Sequence, residues 1–346
     1  MKPRMTAIET AAFIGITVQA IHKQLKSKKL AFEKSQNRVF FGHETSRQLF
    51  DIQFAHKIIA IQIVKGGTGK TSVAQSIAIR ANLYGARVLC IDLDQQGNLT
   101  QAFQTNPEER PTMIDVIREG RPITDAIVTV GEGMDLIPSR IENAVLDNTL
   151  MLKRLPLDRV YKDRLEPLRK KYDLIMIDCP PALGQSVAAV ALVADLIIAP
   201  VTPEKFCLSG LKITTQEITE LEQTYHRKIP MRVVLNKYDN RTMLSHEVMS
   251  SLIKHPTLGP KLFKSYIRIS QEFPNAIARG GSIFDILKET AAKEDIDLLT
   301  REILELTSPK KAQSDISLGS LEEVSVAHLS SEVRTSKEES PNAEHR

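Results

Sequence analysis

Lys65-Gly-Gly-Thr-Gly-Lys-Thr71 decides how this chain is read. Before it stands the apolar run Ile58-Ile-Ala-Ile-Gln-Ile-Val64, which predicts a buried strand over 58–64. After it, Ser72-Val-Ala-Gln-Ser-Ile-Ala-Ile-Arg80 predicts a helix. Strand, glycine-rich turn and helix in this order form the setting of a phosphate-binding loop. Gly66, Gly67 and Gly69 let the backbone curl so that successive N–H groups face an anion. The helix beginning near Lys70 adds the positive end of its dipole. Lys70 is placed to reach the β- and γ-phosphates as a point charge, and the Thr71 hydroxyl to hold Mg2+. Thr68 and Ser72 complete the expected phosphate-binding set.

The general pattern G-x-x-x-x-G-K-[ST] asks for glycine where the chain has Val64, and the loop opens instead on Lys65. This resembles the deviant Walker A signature K-G-G-x-x-K-[ST] of the ParA and MinD superfamily. In that family the first lysine reaches the nucleotide held by the other subunit. The resemblance therefore implies ATP and Mg2+ as cofactors, and a homodimer closed on ATP with Lys65 acting in trans beside Lys70.

Further segments extend the resemblance. Asp92-Leu-Asp94 ends a second apolar strand and runs into Gln95-Gln-Gly-Asn-Leu-Thr100. A carboxylate just past a strand end, beside a phosphate loop, can position water or a hydrated cation. The stretch resembles the family's D-x-D-P-Q-G-N-x-T switch I, with Gln95 in place of the usual proline. That implies a role for Asp94 in hydrolysis, with Asp92 as a second candidate metal ligand. Leu174-Ile-Met-Ile-Asp178 is a buried strand ending in an acid, the logic of a Walker B carboxylate holding Mg2+ through water. Cys179-Pro-Pro181 follows and resembles switch II; no motif places a histidine by Cys179, so a catalytic thiol is not expected. Asn236-Lys-Tyr-Asp239 matches the guanine-reading N-K-x-D pattern, whereas in ParA-like proteins the residue corresponding to Asn236 contacts adenine; the surrounding motifs favour ATP. Pro200-Val-Thr-Pro-Glu-Lys-Phe206 and Gly210-Leu211 resemble the family's P-x-x-P segment near nucleotide and dimer interface.

The chain of 346 residues has room for one large domain and a small one. Its net charge of +4 is modest, but residues 1–55 carry nine Lys/Arg against four Asp/Glu, a net of +5. Cys90, Cys179 and Cys207 lack metal-ligand spacing and suit a reducing cytosol. No apolar run is long enough for a bilayer and the start does not read as a signal peptide, so membrane association is not expected. Between 56 and 307, strand-like runs at 58–64, 88–93, 134–138, 174–178, 196–201 and 231–236 alternate with helical patterns such as 158–171 and 208–225. That predicts an α/β doubly wound, mostly parallel sheet of P-loop NTPase type. Residues 308–346 are rich in Ser, Glu and Lys, without aromatics, and predict a disordered tail.

In the basic first part, Thr6-Ala-Ile-Glu9 is a capping box that starts a helix near Ala7, with Ile8, Ala11 and Ala12 on one face. Gly15-Ile16 turns the chain and Thr17 caps a second helix, with Ala20, Ile21 and Leu25 inward. Gln19, His22, Lys23 and Lys26 then face outward, where they can meet base edges and phosphates in a major groove. Residues 30–41 predict a hairpin with Arg38 at its tip. The whole resembles a MerR-like winged helix-turn-helix, which implies operator binding over 1–55; the bland reading is a small dimerisation arm.

Read together, 56–307 resembles a ParA-type partition ATPase. The resemblance implies ATP hydrolysis that is weak unless stimulated by a ParB-like centromere-binding partner. It also implies autorepression of its operon and a cytoplasmic, nucleoid-associated location. Nonspecific DNA would meet a C-terminal basic face with Lys264, Arg268 and Arg279 as candidates. Two alternatives share the core: a nucleotide-switched transcriptional regulator, and a MinD-like positioning ATPase, which would need an amphipathic C-terminal helix that the polar tail does not supply.

Overall fold

The computed structural model describes residues 2–35, 37–204 and 207–306, with Glu109 and Cys207 described by backbone alone. The 308–346 tail lies outside the described residues. The chain begins as a small antiparallel sheet in the order β1-β3-β2, formed by β1 (Met5–Thr6), β2 (Glu33–Ser35) and β3 (Arg38–Phe41). α1 (Ala7–Ile14) starts at the capping box: the Glu9 N–H donates to the Thr6 hydroxyl at 3.1 Å, and the Thr6 N–H to the Glu9 carboxylate at 2.7 Å. Gly15, with φ 75°, closes it. Thr17 caps α2 (Val18–Ser27), and α3 (His43–Phe50) follows the hairpin.

The inward face of α1 differs from expectation. Ala11 is buried, but Ile8 and Ala12 are exposed, and Ala7, Thr10 and Phe13 are buried instead. Aromatic packing sets the roll: the Phe13 ring lies 4.7 Å from Tyr84 and 5.5 Å from Phe50. On α2, Ile21 and Leu25 are buried as expected.

The main sheet comprises β4 (Lys57–Ile61), β5 (Val88–Asp92), β6 (Val128–Gly131), β7 (Met134–Ile137), β8 (Leu174–Asp178), β9 (Leu196–Val201) and β10 (Met231–Leu235). Their order is β10-β9-β4-β8-β5-β7-β6, parallel throughout except for the antiparallel β6–β7 pair. β6 was not expected: four half-exposed residues on an edge carry little periodic signal. The expected helix at 158–171 is instead a series of short turns, Leu157–Val160, Lys162–Leu165 and Glu166–Leu168. Pro167 lacks the N–H a continuous helix needs. The expected helix at 208–225 is continuous over Cys207–Tyr225.

β4 is apolar on both faces, so both must be covered. Ile58 and Ala60 join one core, with the helix Gln185–Val193; Ile59 and Ile61 join the other, with α4 (Lys70–Leu83) and the helix Ala291–Ile303. Met5, Phe13, Ile21, Leu25, Phe41 and Leu49 belong to that second core. The N-terminal unit therefore has no separate interior; it packs on α4. A buried ion network reinforces the joint. The Arg80 guanidinium, on α4, pairs with Glu9 at 3.0 Å and with Asp297 at 2.7 Å, and the Tyr84 hydroxyl donates to Asp297 at 2.6 Å. Arg47 of α3 donates to the Gly85 carbonyl at 2.6 Å and pairs with Asp173 at 2.8 Å. Among the described residues, no helix is long and apolar enough to cross a membrane.

Candidate nucleotide site

Parallel strands deliver their C-terminal ends to one edge, and β8 and β9 flank β4 there, which opens a crevice where the connections diverge. At that edge lie the 65–71 loop after β4, Asp92–Asp94 after β5, Asp178 at the end of β8, and Asn236 after β10. Gly69 has φ 84° and directly precedes α4, and a Cβ there would stand 2.4 Å from the Asn236 amide. Only glycine satisfies both conditions.

Lys70 is buried and donates to the Lys65 carbonyl at 2.9 Å. Burial lowers its pKa, and the charges of Asp178 and Asp94 oppose that shift. The cation stands within the influence of two carboxylates, and its bond to a carbonyl is one that a phosphate oxygen could replace. Thr71 donates its hydroxyl to Asp178 Oδ2 at 2.7 Å. Among the described residues Asp178 Oδ1 is buried with no hydrogen-bond partner, and burial together with the neighbouring Asp92 holds this carboxyl well above the usual carboxylate range. An orphaned acceptor on a buried carboxylate, beside a hydroxyl, fits a hydrated divalent cation. Thr71 and Asp178 are the residues that could hold Mg2+. The Thr68 hydroxyl is also buried without a partner.

Asp92 corrects the expectation of a second metal ligand. Its Oδ1 accepts from the Asp94 N–H at 3.2 Å, and its Oδ2 accepts from the Thr100 N–H and hydroxyl, both at 2.8 Å. It is a buried anchor for the loop that carries Asp94, with its pKa pushed up to about 6 by burial. Asp94 is itself 7% exposed and accepts from the Gln96 N–H at 3.0 Å. Cys179 is fully buried, and burial pushes its thiol far above the ordinary range, which removes the thiolate a nucleophile needs.

Asn236 donates its side-chain amide to the Thr68 carbonyl at 2.8 Å, and Lys237 donates to the Gly67 carbonyl at 2.8 Å. Sequence reasoning gave Lys237 no role; it pins the phosphate loop from the end of β10, two strands away from β4. Asp239, the residue that would read guanine, is held by Arg241 through two side-chain contacts of 2.9 Å. Lys65 is paired with Glu204 at 2.6 Å, and Glu204 also accepts from the Thr202 hydroxyl at 2.7 Å. The partner of Lys65 stood in a quoted segment but nothing in the sequence marked it. Another unmarked residue is Thr214, whose buried hydroxyl accepts from the Val64 N–H at 3.1 Å and ties the loop to the helix Cys207–Tyr225.

The expected DNA contacts divide. Gln19, Lys23 and Lys26 are exposed along α2, and His22 is half-buried. Arg38 is exposed, and its guanidinium donates to the Leu287 carbonyl. Lys264 and Arg279 are exposed. Arg268, expected on the same basic face, has its guanidinium bound by Asp295 at 2.6 Å and Glu294 at 2.8 Å. Its charge is already neutralised.

Comparison with known proteins agrees with this geometry. A family model described as AAA domain (AAA_31) matches residues 56–231. The chromosome partitioning protein ParA of Caulobacter vibrioides is 28% identical, covering 75% of this chain and 97% of that protein. The sporulation initiation inhibitor protein Soj of Bacillus subtilis is 29% identical, covering 68% and 98%. An ATP complex of a Cyanothece McdA variant shares the fold, with a TM-score of 0.66 at 23% identity, covering 74% and 98%. Cobyrinic acid a,c-diamide synthase from Mycobacterium smegmatis, solved with an ATP analogue and magnesium, has a TM-score of 0.61 at 27% identity, covering 72% and 95%. The family model spans more than half of the sequence, and the loop, its Lys70 and the acid ending β8 carry the same logic: the chain belongs to the AAA domain family AAA_31 and is a P-loop ATPase of the ParA/MinD type.

Proposed function

We propose that this chain is an ATP- and Mg2+-dependent partition ATPase that closes as a homodimer on nucleotide and binds DNA. The observation that carries the reading is the convergence of Lys70, the Thr71 hydroxyl and the partnerless Asp178 Oδ1 at one loop. When bound, ATP with Mg2+ supplies the phosphoryl group that is transferred to water. Lys70 would exchange the Lys65 carbonyl for phosphate oxygens. Thr71 and Asp178 would hold the cation, Asp178 through water. Asp94, buried at the loop after β5, would orient the attacking water. Gly66, Gly67, Thr68, Gly69 and Ser72 would line the phosphates. Lys65 would leave Glu204 to act across the dimer. Asn236 would face the base, and the Arg241–Asp239 pair supports adenine over guanine.

Two DNA surfaces belong to this reading. α1 and α3 are packed on the ATPase body, which leaves the Gln19, Lys23 and Lys26 side of α2 to enter an operator groove. Lys264 and Arg279 would meet nonspecific DNA. A ParB-like partner would stimulate hydrolysis, and operator binding would repress the chain's own operon, in the cytoplasm at the nucleoid. The relatives' names, partitioning protein ParA and sporulation inhibitor Soj, support this placement. A second reading, a nucleotide-switched regulator with no partition role, is favoured by the fixed attachment of the N-terminal unit to the helix that begins at the phosphate loop. A plasmid-loss assay beside an operator-repression reporter tests the choice. With Lys70→Ala, loss of plasmid maintenance supports partition; unchanged maintenance with altered repression supports the regulator.

A further inference from the structure

The segment after β7 contains three polar residues four apart: Ser139 just before, and Asn143 and Asp147 on, a run of helical turns through Ile141–Val145 and Leu146–Leu152. No motif marks them, yet each contacts a loop of the nucleotide site or the residue before it. The Ser139 hydroxyl donates to the backbone carbonyl of Asp94 at 2.7 Å, and the Ser139 N–H donates to the Thr100 hydroxyl at 2.8 Å. Thr100 in turn donates to Asp92, so both ends of the Asp94 loop are held from one residue. The Asn143 amide donates to the Ser139 hydroxyl at 2.7 Å, and its oxygen accepts from the Ile114 N–H at 3.2 Å, which fixes the amide's orientation. One turn beyond Asn143, the Asp147 carboxylate accepts from the Ser186 N–H at 2.7 Å, at the start of the helix that follows the loop after Asp178. A Cβ on Gly184 would overlap that carboxylate, at 1.9 Å, so the approach requires glycine.

Ser139 and Asn143 are 1% and 4% exposed, and each of their side-chain polar atoms has a hydrogen-bond partner. A satisfied buried network of this kind has one low-energy arrangement, because each broken contact strands a partner away from water. It fixes the height of the Asp94 loop against the sheet edge, and through the same helical segment it fixes the start of the helix after Cys179-Pro-Pro181. We propose that Ser139, Asn143 and Asp147 are positioning residues that hold these two loops in register, so that Asp94 faces the attacking water while Asp178 faces the cation. The proposal rests on the reading of Asp94 as the residue that supports hydrolysis.

The test is steady-state ATP turnover of the full chain with Mg2+, with equilibrium binding of a fluorescent ATP analogue and the melting temperature measured alongside. Ser139→Ala is expected to lower kcat about tenfold, the loss of one well-placed hydrogen bond, with analogue affinity unchanged. Ser139→Thr keeps the hydroxyl and should recover most of the rate. Asn143→Ala should mimic Ser139→Ala, and Asp147→Ala should slow turnover where Asp147→Asn, which keeps the acceptor, does not. In an Asp94→Ala background, Ser139→Ala should add nothing, because it acts through that loop. Wild-type kcat in Ser139→Ala and Asn143→Ala, or an effect of Ser139→Ala that is equally large without the Asp94 carboxylate, overturns the proposal. Wild-type turnover in Asp94→Ala alone overturns the reading beneath it as well, and so separates the two failures.

Discussion

Lys70 is a buried cation with a carbonyl as its present partner and two carboxylates close by. Lys70→Ala should weaken ATP binding about 100-fold or more, since a triphosphate would lose the buried cation that offsets Asp94 and Asp178. Equilibrium binding of a labelled ATP analogue checks this; unchanged affinity would reject the phosphate-loop assignment. Base choice is set more weakly. GTP should compete poorly with ATP, and Arg241→Ala, which releases Asp239, should improve GTP competition by less than about tenfold, because an exposed ion pair restrains little. A preference of the unmodified chain for GTP would restore the guanine reading of Asn236-Lys-Tyr-Asp239. At this scale the sequence was most legible where chemistry demands residue types at fixed local spacing: Gly69, Lys70 and Thr71 stand in seven consecutive residues. It was silent where a partner is chosen by topology. Lys65 finds Glu204 across 139 positions, and Asp92 proves to be an anchor because Thr100 turns back onto it.

Elements carry two further expectations. Glu217, on the helix Cys207–Tyr225, has a buried Oε2 with no partner among the described residues, and burial pushes its pKa up to about 7. A carboxyl raised on folding lends its stability below its unfolded pKa, and that contribution is lost as pH rises through the folded value. Glu217→Gln should therefore raise the melting temperature at pH 8 and leave it nearly unchanged at pH 4; equal gains at both would show that the charge is not the cause. Arg268→Glu places a third carboxylate beside Asp295 and Glu294. It should lower the melting temperature by roughly 5 °C or more, with recovery in the Asp295→Arg partner variant. Loss of DNA binding in Arg268→Glu without destabilisation would instead return Arg268 to the DNA surface. Element existence was readable wherever periodicity ran long: six main strands and the caps at Thr6 and Thr17 stand close to where the sequence predicts them. β6 is too short and too exposed to signal itself, and the roll of α1 depends on Tyr84, an aromatic on another element.

For the whole molecule, the two proposed DNA surfaces should respond differently to change. Replacing Lys23 and Lys26 with Ala should abolish operator shifts and spare random-sequence binding in ATP; replacing Lys264 and Arg279 should do the reverse. The random-sequence mode should weaken steeply between about 50 and 200 mM salt, because phosphate contacts release counterions. If both pairs of replacements remove both modes, the surfaces are one. Side-chain replacement is the right instrument because of how α4 is enclosed. Cutting at residue 55 would strip Phe13, Phe50 and Glu9 from Tyr84 and Arg80, leaving an aromatic face and a buried cation open to water. The same joint bears on how such a chain can be assembled by recombination. A unit whose interior is completed by its neighbour cannot move as a cassette: a graft of residues 1–55 onto another ATPase would succeed only if the recipient brought counterparts of Arg80, Tyr84 and Asp297, so the N-terminal unit and the ATPase must be inherited, and re-engineered, as one body.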